Sequence, residues 1–472
     1  MLVPINLTGG DYQHKSPALS KQMTRNFWPQ AQQNQKTKSP YILQSFYGLK
    51  EWSNPNLQGI CRGQISNQGV LYRVIGNTLY QVLSGGEHTS LGTISGSNRC
   101  IFSSMGSQII VNNGSGIVYV WDGERLQQNT DENLGSPNGA TVLNNQAIYD
   151  SGTGQGFDVS DVGKPLTING VNNAQAESES DALVIPYAFR ETLYLFGDKT
   201  IELWWNSGQG NPPFDKIQGA VIKMGLEAKY SVADNPDYIF FLGTDNQFHT
   251  LTGGASSVDT PISTPAMAKI IEGYSVKNDC IGWTMQLEGQ WFYVATFPTE
   301  DVTWVYPIGG EWFEWGSSLH GRIRANSYVN IFGKHLVGDF ESGKLYELDA
   351  ETYTDADEEI IRTRISAPIH GGLFKQDGKE FEINELEILL QTGVGVVSGQ
   401  GSDPFLMIAV SRDGGRTFGT ERFLRVGKMG ERMKVRAKNF GRFENDCVIR
   451  VRVSDPIYWA IYNAKADVEV CI

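Results

Sequence analysis

At 472 residues, with 53 glycines and 11% aromatics, the chain is long enough for two or three domains and has the composition of sheet and tight turns. Apolar residues at helical spacing are nearly absent, which excludes a helical bundle, and no window approaches the roughly 18 apolar residues of a membrane span, so no membrane insertion is expected. A formal charge of −13 argues against a protein that grips nucleic acid over its whole surface.

Residues 1–40 are polar and interrupted by Pro17, Pro29 and Pro40. They read as an extended arm, ordered by contact with the body or with a neighbouring chain, and Phe27 and Trp28 are its candidate anchors. The opening MLVPINLTGG has neither the cationic start nor the apolar core of a signal peptide. Five cysteines, Cys61, Cys100, Cys280, Cys447 and Cys471, are odd in number and lack CxxC spacing, so they are expected as reduced, mostly buried thiols of a chain made in a cytosol.

From residue 41 a repeated unit sets in: a strand of aromatic and β-branched residues, a glycine-bearing turn, and a returning strand. Copies occupy 71–74 and 79–82, 108–111 and 117–121, 193–196 and 200–205, and 238–242 and 247–251, with two more between Val302 and Asp349. A lone hairpin cannot bury its apolar face, so the units must pack together. Their recurrence at roughly 35–50 residues is that of propeller blades. The expectation is an all-β protein whose β-propeller of six or seven blades is built from 41–129 and 183–359. A sandwich of unrelated hairpins is the bland alternative.

Between the two parts, 130–182 holds eight acidic residues against a single lysine, Lys164, and reads as an acidic insertion or long loop. Residues 360–472 read as a separate C-terminal antiparallel β-sandwich-like unit. Positive charge gathers there: 410–452 carries twelve Lys or Arg and five Asp or Glu. Lys434, Arg436 and Lys438, like Arg450 and Arg452, alternate as on the wet face of a strand. The charge suits charge-steered docking, with Arg412, Arg416, Arg432, Lys434 and Arg436 as the candidate interface to a neighbouring subunit or another protein of an assembly.

One motif in this region is specific. Ser411, Asp413, Gly415, Thr417 and Phe418 match the Asp-box pattern S-x-D-x-G-x-T-[FW], in which the aspartate accepts amides of its own turn and the aromatic plugs the sheet beneath. The hairpin occurs in sialidase-like propellers and in many non-enzymes, so it is read as structural. No HExxH, GxSxG or Walker spacing occurs, and the six histidines are isolated. Phe189-Arg190 is followed by Glu191-Thr192, which departs from the F-R-I-P start of a sialidase. Carboxylates such as Glu191, Glu202 and Asp339 cannot be paired from sequence. No catalytic residue, cofactor or metal is expected.

The opening LTGGDYQHKSPALSKQMTRNFWPQ, the central GDKTIELWWNSGQGNPPFDKIQGAVIKMGLEAKYSV and the tail from FLMIAVSRDGGRTF to NAKADVEV resemble the packaged-DNA stabilisation proteins of short-tailed bacteriophages, also described as tail hub or head-completion proteins. The resemblance implies a structural virion protein of the tail, assembled in the host bacterial cytoplasm as a homo-oligomeric ring, expected to be a hexamer. Such a ring lies below the portal and its adaptor ring, extends the DNA channel, retains packaged DNA, and carries tailspikes or fibres and the tail needle. Double-stranded DNA would pass through the lumen without specific binding. The rival reading is a virion propeller protein that binds or hydrolyses host-surface glycan.

Overall fold

The computed structural model describes residues 1–16, 19–32, 39–176 and 181–471. Seven four-stranded antiparallel units follow one another along the chain as the blades of a propeller; five are separate sheets, and the last two are parts of larger ones. Blade 1 runs from Cys61–Asn67 to His88–Thr93, blade 2 from Ile101–Met105 to Leu126–Gln128, and blade 3 from Ala140–Leu143 to Lys164–Gln175. Blade 4 runs from Leu183–Phe189 to Phe214–Ile222, blade 5 from Ala233–Asp234 to Asp259–Pro261, and blade 6 from Ile281–Leu287 to Phe313–Glu314. Blade 7 takes Ala325–Ile331, Lys334–Asp339 and Leu345–Asp349, and is completed by Gly48–Ser53 from the other end of the propeller sequence. That outer strand pairs antiparallel with Leu345–Asp349, so separating blade 7 from blade 1 requires breaking a ladder inside a sheet.

The segment 130–182, expected as an insertion, instead carries blade 3; its residues 177–180 lie outside the described residues. The acidic and amide residues lie mostly on turns and on the exposed outer strand. The apolar requirement is met by Ala147, Ile148, Tyr149, Phe157 and Val159, all fully buried. A blade strand needs only four or five residues, so short apolar runs suffice. Blades 7 and 1 meet closely at Gly338, where a Cβ would stand 2.5 Å from the Cys61 Sγ, too close for any larger residue. All five cysteines are free.

The sandwich is made of two sheets. One orders Phe27–Ala31, Tyr41–Ser45, Ala460–Val470, Phe381–Leu390 and Val435–Phe443, with Leu2–Ile5 also on Ala460–Val470. The other holds Arg362–Ile365, Asp446–Val453, Phe405–Ser411 and Arg422–Arg425. Between them lie Phe27, Phe381, Ile383, Leu406, Ile408, Val451 and Trp459. The second sheet continues through Lys21–Arg25, which pairs with Arg362–Ile365 and bridges in parallel from Arg25 to Glu314, into blade 6. One sheet thus runs from the propeller rim into the sandwich.

The stretch 1–40 is therefore not an arm laid over the surface. Its described strands belong to both bodies; residues 17–18 and 33–38 lie outside the described residues. Arg364, fully buried, holds it in place by donating to Leu7 O (2.9 Å), Gly10 O (2.8 Å), Thr24 Oγ1 (2.8 Å) and Gln22 Oε1 (2.8 Å). Among the described residues no helix is long and apolar enough to cross a membrane.

Candidate functional site

The Asp-box turn joins Phe405–Ser411 to Arg422–Arg425 and closes on itself. Asp413 accepts the amides of Arg416 (2.9 Å) and Thr417 (2.9 Å) and the hydroxyls of Ser411 (2.6 Å) and Thr417 (2.6 Å). The Ser411 Oγ in turn accepts the Gly415 amide at 2.8 Å, with Gly415 at a φ of +88° that a side chain would strain. The hydroxyls of Ser411 and Thr417 hold the Asp413 carboxyl well below the usual carboxylate range. Phe418 does not plug the sheet as expected. It is half-buried under the Arg450 guanidinium, 4.5 Å from the ring centre. Every acceptor on Asp413 is turned inward, which gives the motif a structural role.

The five basic candidates separate into three groups. Arg412 donates to Phe440 O at 2.6 Å and to Arg442 O, and Arg422 donates to Asn439 O at 2.9 Å. Both therefore clamp the edge of one sandwich sheet to the other, and Arg412 is engaged within its own chain. Arg436 is engaged as well, 3.2 Å from Glu385 and 2.8 Å from Glu387 on the adjacent strand. Lys438 lies 3.5 Å from Glu385, and Arg442 meets Glu380. The alternating cations of Val435–Phe443 thus face alternating glutamates of Phe381–Leu390, a cross-strand ladder worth a few tenths of a kcal/mol per pair. Arg416, Arg432 and Lys434 form the third group: they are exposed and have no ion pair among the described residues.

The charge of the region changes accordingly. Residues 360–472 carry 17 Lys or Arg against 14 Asp or Glu, which leaves 22 against 38 on residues 1–359. The sandwich is close to neutral with a local basic edge, and the acid belongs to the propeller.

Phe27 and Trp28, the other interface candidates, are both buried in this chain. Phe27 sits in the sandwich core, and Trp28 sits in the propeller core with its ring edge-on to Phe292 at 5.0 Å. Successive strand residues point to opposite faces, so one dipeptide pins two cores. Neither residue is available to a neighbouring chain.

Exposed apolar residues escaped the sequence reading. Phe423, 66% exposed, lies on the edge strand Arg422–Arg425, and Met429, 57% exposed, lies in the loop that follows, with Arg432 and Lys434 beyond it. Trp205 is 48% exposed in a cleft of about 930 Å³ lined also by Asn144, Arg190, Glu191, Thr192 and Asn206. The adjacent Trp204–Trp205 pair was the available signal, since only one of two consecutive strand residues can face the core. Of the three carboxylates considered for chemistry, Glu202 is buried and accepts the Trp204 indole N–H at 3.0 Å, and Asp339 anchors its turn through the Glu341 amide at 3.0 Å. Glu191 borders the cleft. Among the described residues no group of histidine, cysteine and carboxylate side chains could hold a metal ion.

A seven-bladed propeller and a sandwich sharing a sheet, with their polar motif spent on a turn, define an architectural β protein. Residues 1–353 match the family model described as bacteriophage P22 Gp10, beta-propeller, and residues 369–469 match its companion, bacteriophage P22 Gp10, beta-sandwich. The chain belongs to this family of structural phage proteins and is a phage structural protein of the virion tail. No curated protein matches it in sequence. Similar solved structures include virginiamycin B lyase from Staphylococcus aureus, with 10% identity and a TM-score of 0.46 over 64% of this chain and 98% of that one. BamB from Moraxella catarrhalis gives 10% and 0.39 over 70% and 98%, and the WD40 beta-propeller domain of Doa1 gives 10% and 0.39 over 65% and 97%. Similarity at this level bears on neither activity nor ligand.

Proposed function

We propose that the chain is the subunit of a tail hub ring, expected to hold six copies, that sits below the portal and its adaptor ring, extends the DNA channel and retains the packaged genome. Tailspikes or fibres and a tail needle attach to it. Assembly takes place in the host cytoplasm. The observation that carries this reading is the sandwich edge, where Arg416, Arg432 and Lys434, with no ion pair among the described residues, accompany exposed Phe423 and Met429 on a subunit whose propeller is strongly acidic. Apolar anchors within a charged rim are the composition of a protein interface. An acidic body repels phosphates, so DNA would slide past it without the barrier that each bound phosphate would add. The sheet shared by the two bodies supports a connector that must transmit load between partners.

The test is a phage lacking this gene product. Its heads should package DNA and then lose it on purification, and heads that keep a full genome would sink the proposal. Native mass spectrometry of the chain with the adaptor tests the ring separately.

A second reading rests on the Trp205 cleft. An exposed indole among amides, a guanidinium and a carboxylate suits stacking on a sugar ring with hydrogen bonds to its hydroxyls. Binding of host-surface polysaccharide to the wild type but not to Trp205→Ala would favour it.

A further inference from the structure

The inner strands of the blades surround an axial cavity of about 540 Å³. It is lined by residues of the first five blades and blade 6, among them Gln64, Arg99, Thr141, Lys229, Tyr230 and Asp234. Its charge is uneven. The Lys229 Nζ lies 5.0 Å, and the Arg99 guanidinium 6.0 Å, from the centre of the same Tyr230 ring. Among the described residues neither cation has a carboxylate within ion-pair distance. Arg99 reaches the carbonyl of Asn326, and the Tyr230 hydroxyl donates to Arg99 O at 3.1 Å. Behind them Arg62, fully buried, spends its donors on the carbonyls of Asn98, Gly76, Ile94, Ser95 and Asn113 and brings no acid with it.

The acids near the cavity are committed elsewhere. Asp150, which acts on Lys229 through space, is itself bound to the amides of Asn138 (2.9 Å), Gly139 (2.8 Å) and Gly152 (2.9 Å). Asp234 accepts the Tyr187 hydroxyl at 2.6 Å. Partial burial pushes both Arg99 and Lys229 below their usual values, as for cations partly withdrawn from water without a paired carboxylate. A polar cavity thus presents two cations without a carboxylate partner in a protein of net negative charge.

We infer that this end of the axial cavity binds a small oxyanion, a phosphate or a carboxylate, between Arg99 and Lys229. The arrangement supplies two charged donors on an aromatic platform, with room for a ligand larger than the bare ion. The site is independent of the sandwich edge, and of ring formation.

The test is calorimetric titration of the full-length chain with inorganic phosphate and, separately, with citrate, in a chloride buffer. The wild type should bind at least one of them. Lys229→Met, which removes the charge and keeps the stem, should weaken that binding by about tenfold or more, the usual loss for one charge-assisted hydrogen bond. Arg99→Met should do the same. Because Arg99 also links blade 2 to blade 7, Lys229→Met carries the test if Arg99→Met fails to fold, with folding checked by circular dichroism. Phosphate alone binding would assign a phosphoryl ligand, and citrate alone a carboxylate. Binding of neither by the wild type, or binding unchanged in Lys229→Met, overturns the inference.

Discussion

Replacing Arg364 by methionine tests how the N-terminal stretch is held. The guanidinium is fully buried, pushed down to about 10 by burial while Asp11 and Glu311 pull it back, and makes four hydrogen bonds to the segment between Leu7 and Thr24. Each bond to a charged donor contributes about 1.5–3 kcal/mol, and each acceptor stranded in the interior costs about 1–3. The simple sum overstates the loss, because the segment can lift and admit water once released. About 4 kcal/mol is the expected cost. With roughly 2 cal/mol/K per residue, a chain of this length unfolding as one unit has an entropy near 1 kcal/mol/K, so the midpoint should fall by about 4 °C. Hydrogen exchange is the sharper assay. The amides of Asp11 and of Lys21–Arg25 should lose protection in Arg364→Met while those in blades 2 to 4 keep theirs. Arg364→Lys should be almost as damaging, because an ammonium cannot reproduce the fork. A loss below about 1 kcal/mol with those amides still protected, or full rescue by lysine, would refute the reasoning.

Other substitutions probe other links. Burial opposes a charge on His249, but its hydrogen bonds to Asp259 (2.8 Å) and Asp245 (3.0 Å) outweigh that and raise its pKa above the ordinary 6.5. The stabilisation should be complete below about pH 6.5 and be lost as pH rises through the folded-state value, and His249→Gln should flatten this slope in thermal melts. Charge reversal of Arg416, Arg432 and Lys434 together should prevent ring assembly in native mass spectrometry, yet leave the monomer within about 0.5 kcal/mol per site of wild type. Phe27→Ala and Trp28→Ala should each cost about 3–5 kcal/mol in denaturant melts of the monomer, so a variant that assembles poorly while its monomer keeps wild-type stability would contradict the buried placement.

How much of this was legible depended on the distance over which each element finds its partner. Hairpins such as Val70–Ile75 with Thr78–Val82 are local, and alternation plus a glycine turn was enough to find them. Blade 3 was hidden because composition averages over both faces and the turns, whereas the sheet needs only five or six apolar side chains. Gly48–Ser53 could not be assigned, since its partner lies some 300 residues away and nothing local names it. The basic strands misled for the same reason. Arg436 and Lys438 looked unpaired until Phe381–Leu390 brought Glu385 and Glu387 alongside. The hydrogen bonds of the Asp-box were legible because each falls within seven residues of chain, whereas the place of Phe418 was not, because its neighbour Arg450 lies on another strand.

These long-range pairings bear on what the molecule can do. A propeller and a sandwich joined by a linker would rock against each other, because interfaces between domains are ordinarily small and polar. Here the junction is a parallel bridge from Glu314 to Arg25 and a ladder from Met23–Arg25 to Thr363–Ile365, with Phe27 and Trp28 rooted in separate cores on either side. Bending it means breaking backbone hydrogen bonds and withdrawing an aromatic side chain, several kcal/mol in all. The two bodies are therefore fixed as one. Given that, a partner bound to the basic edge of the sandwich is held at a set angle to the propeller axis, and so to whatever the propeller faces. Stiffness of this kind is of little use to a soluble binding module. It is what a tail part needs if its copies are to form a closed ring.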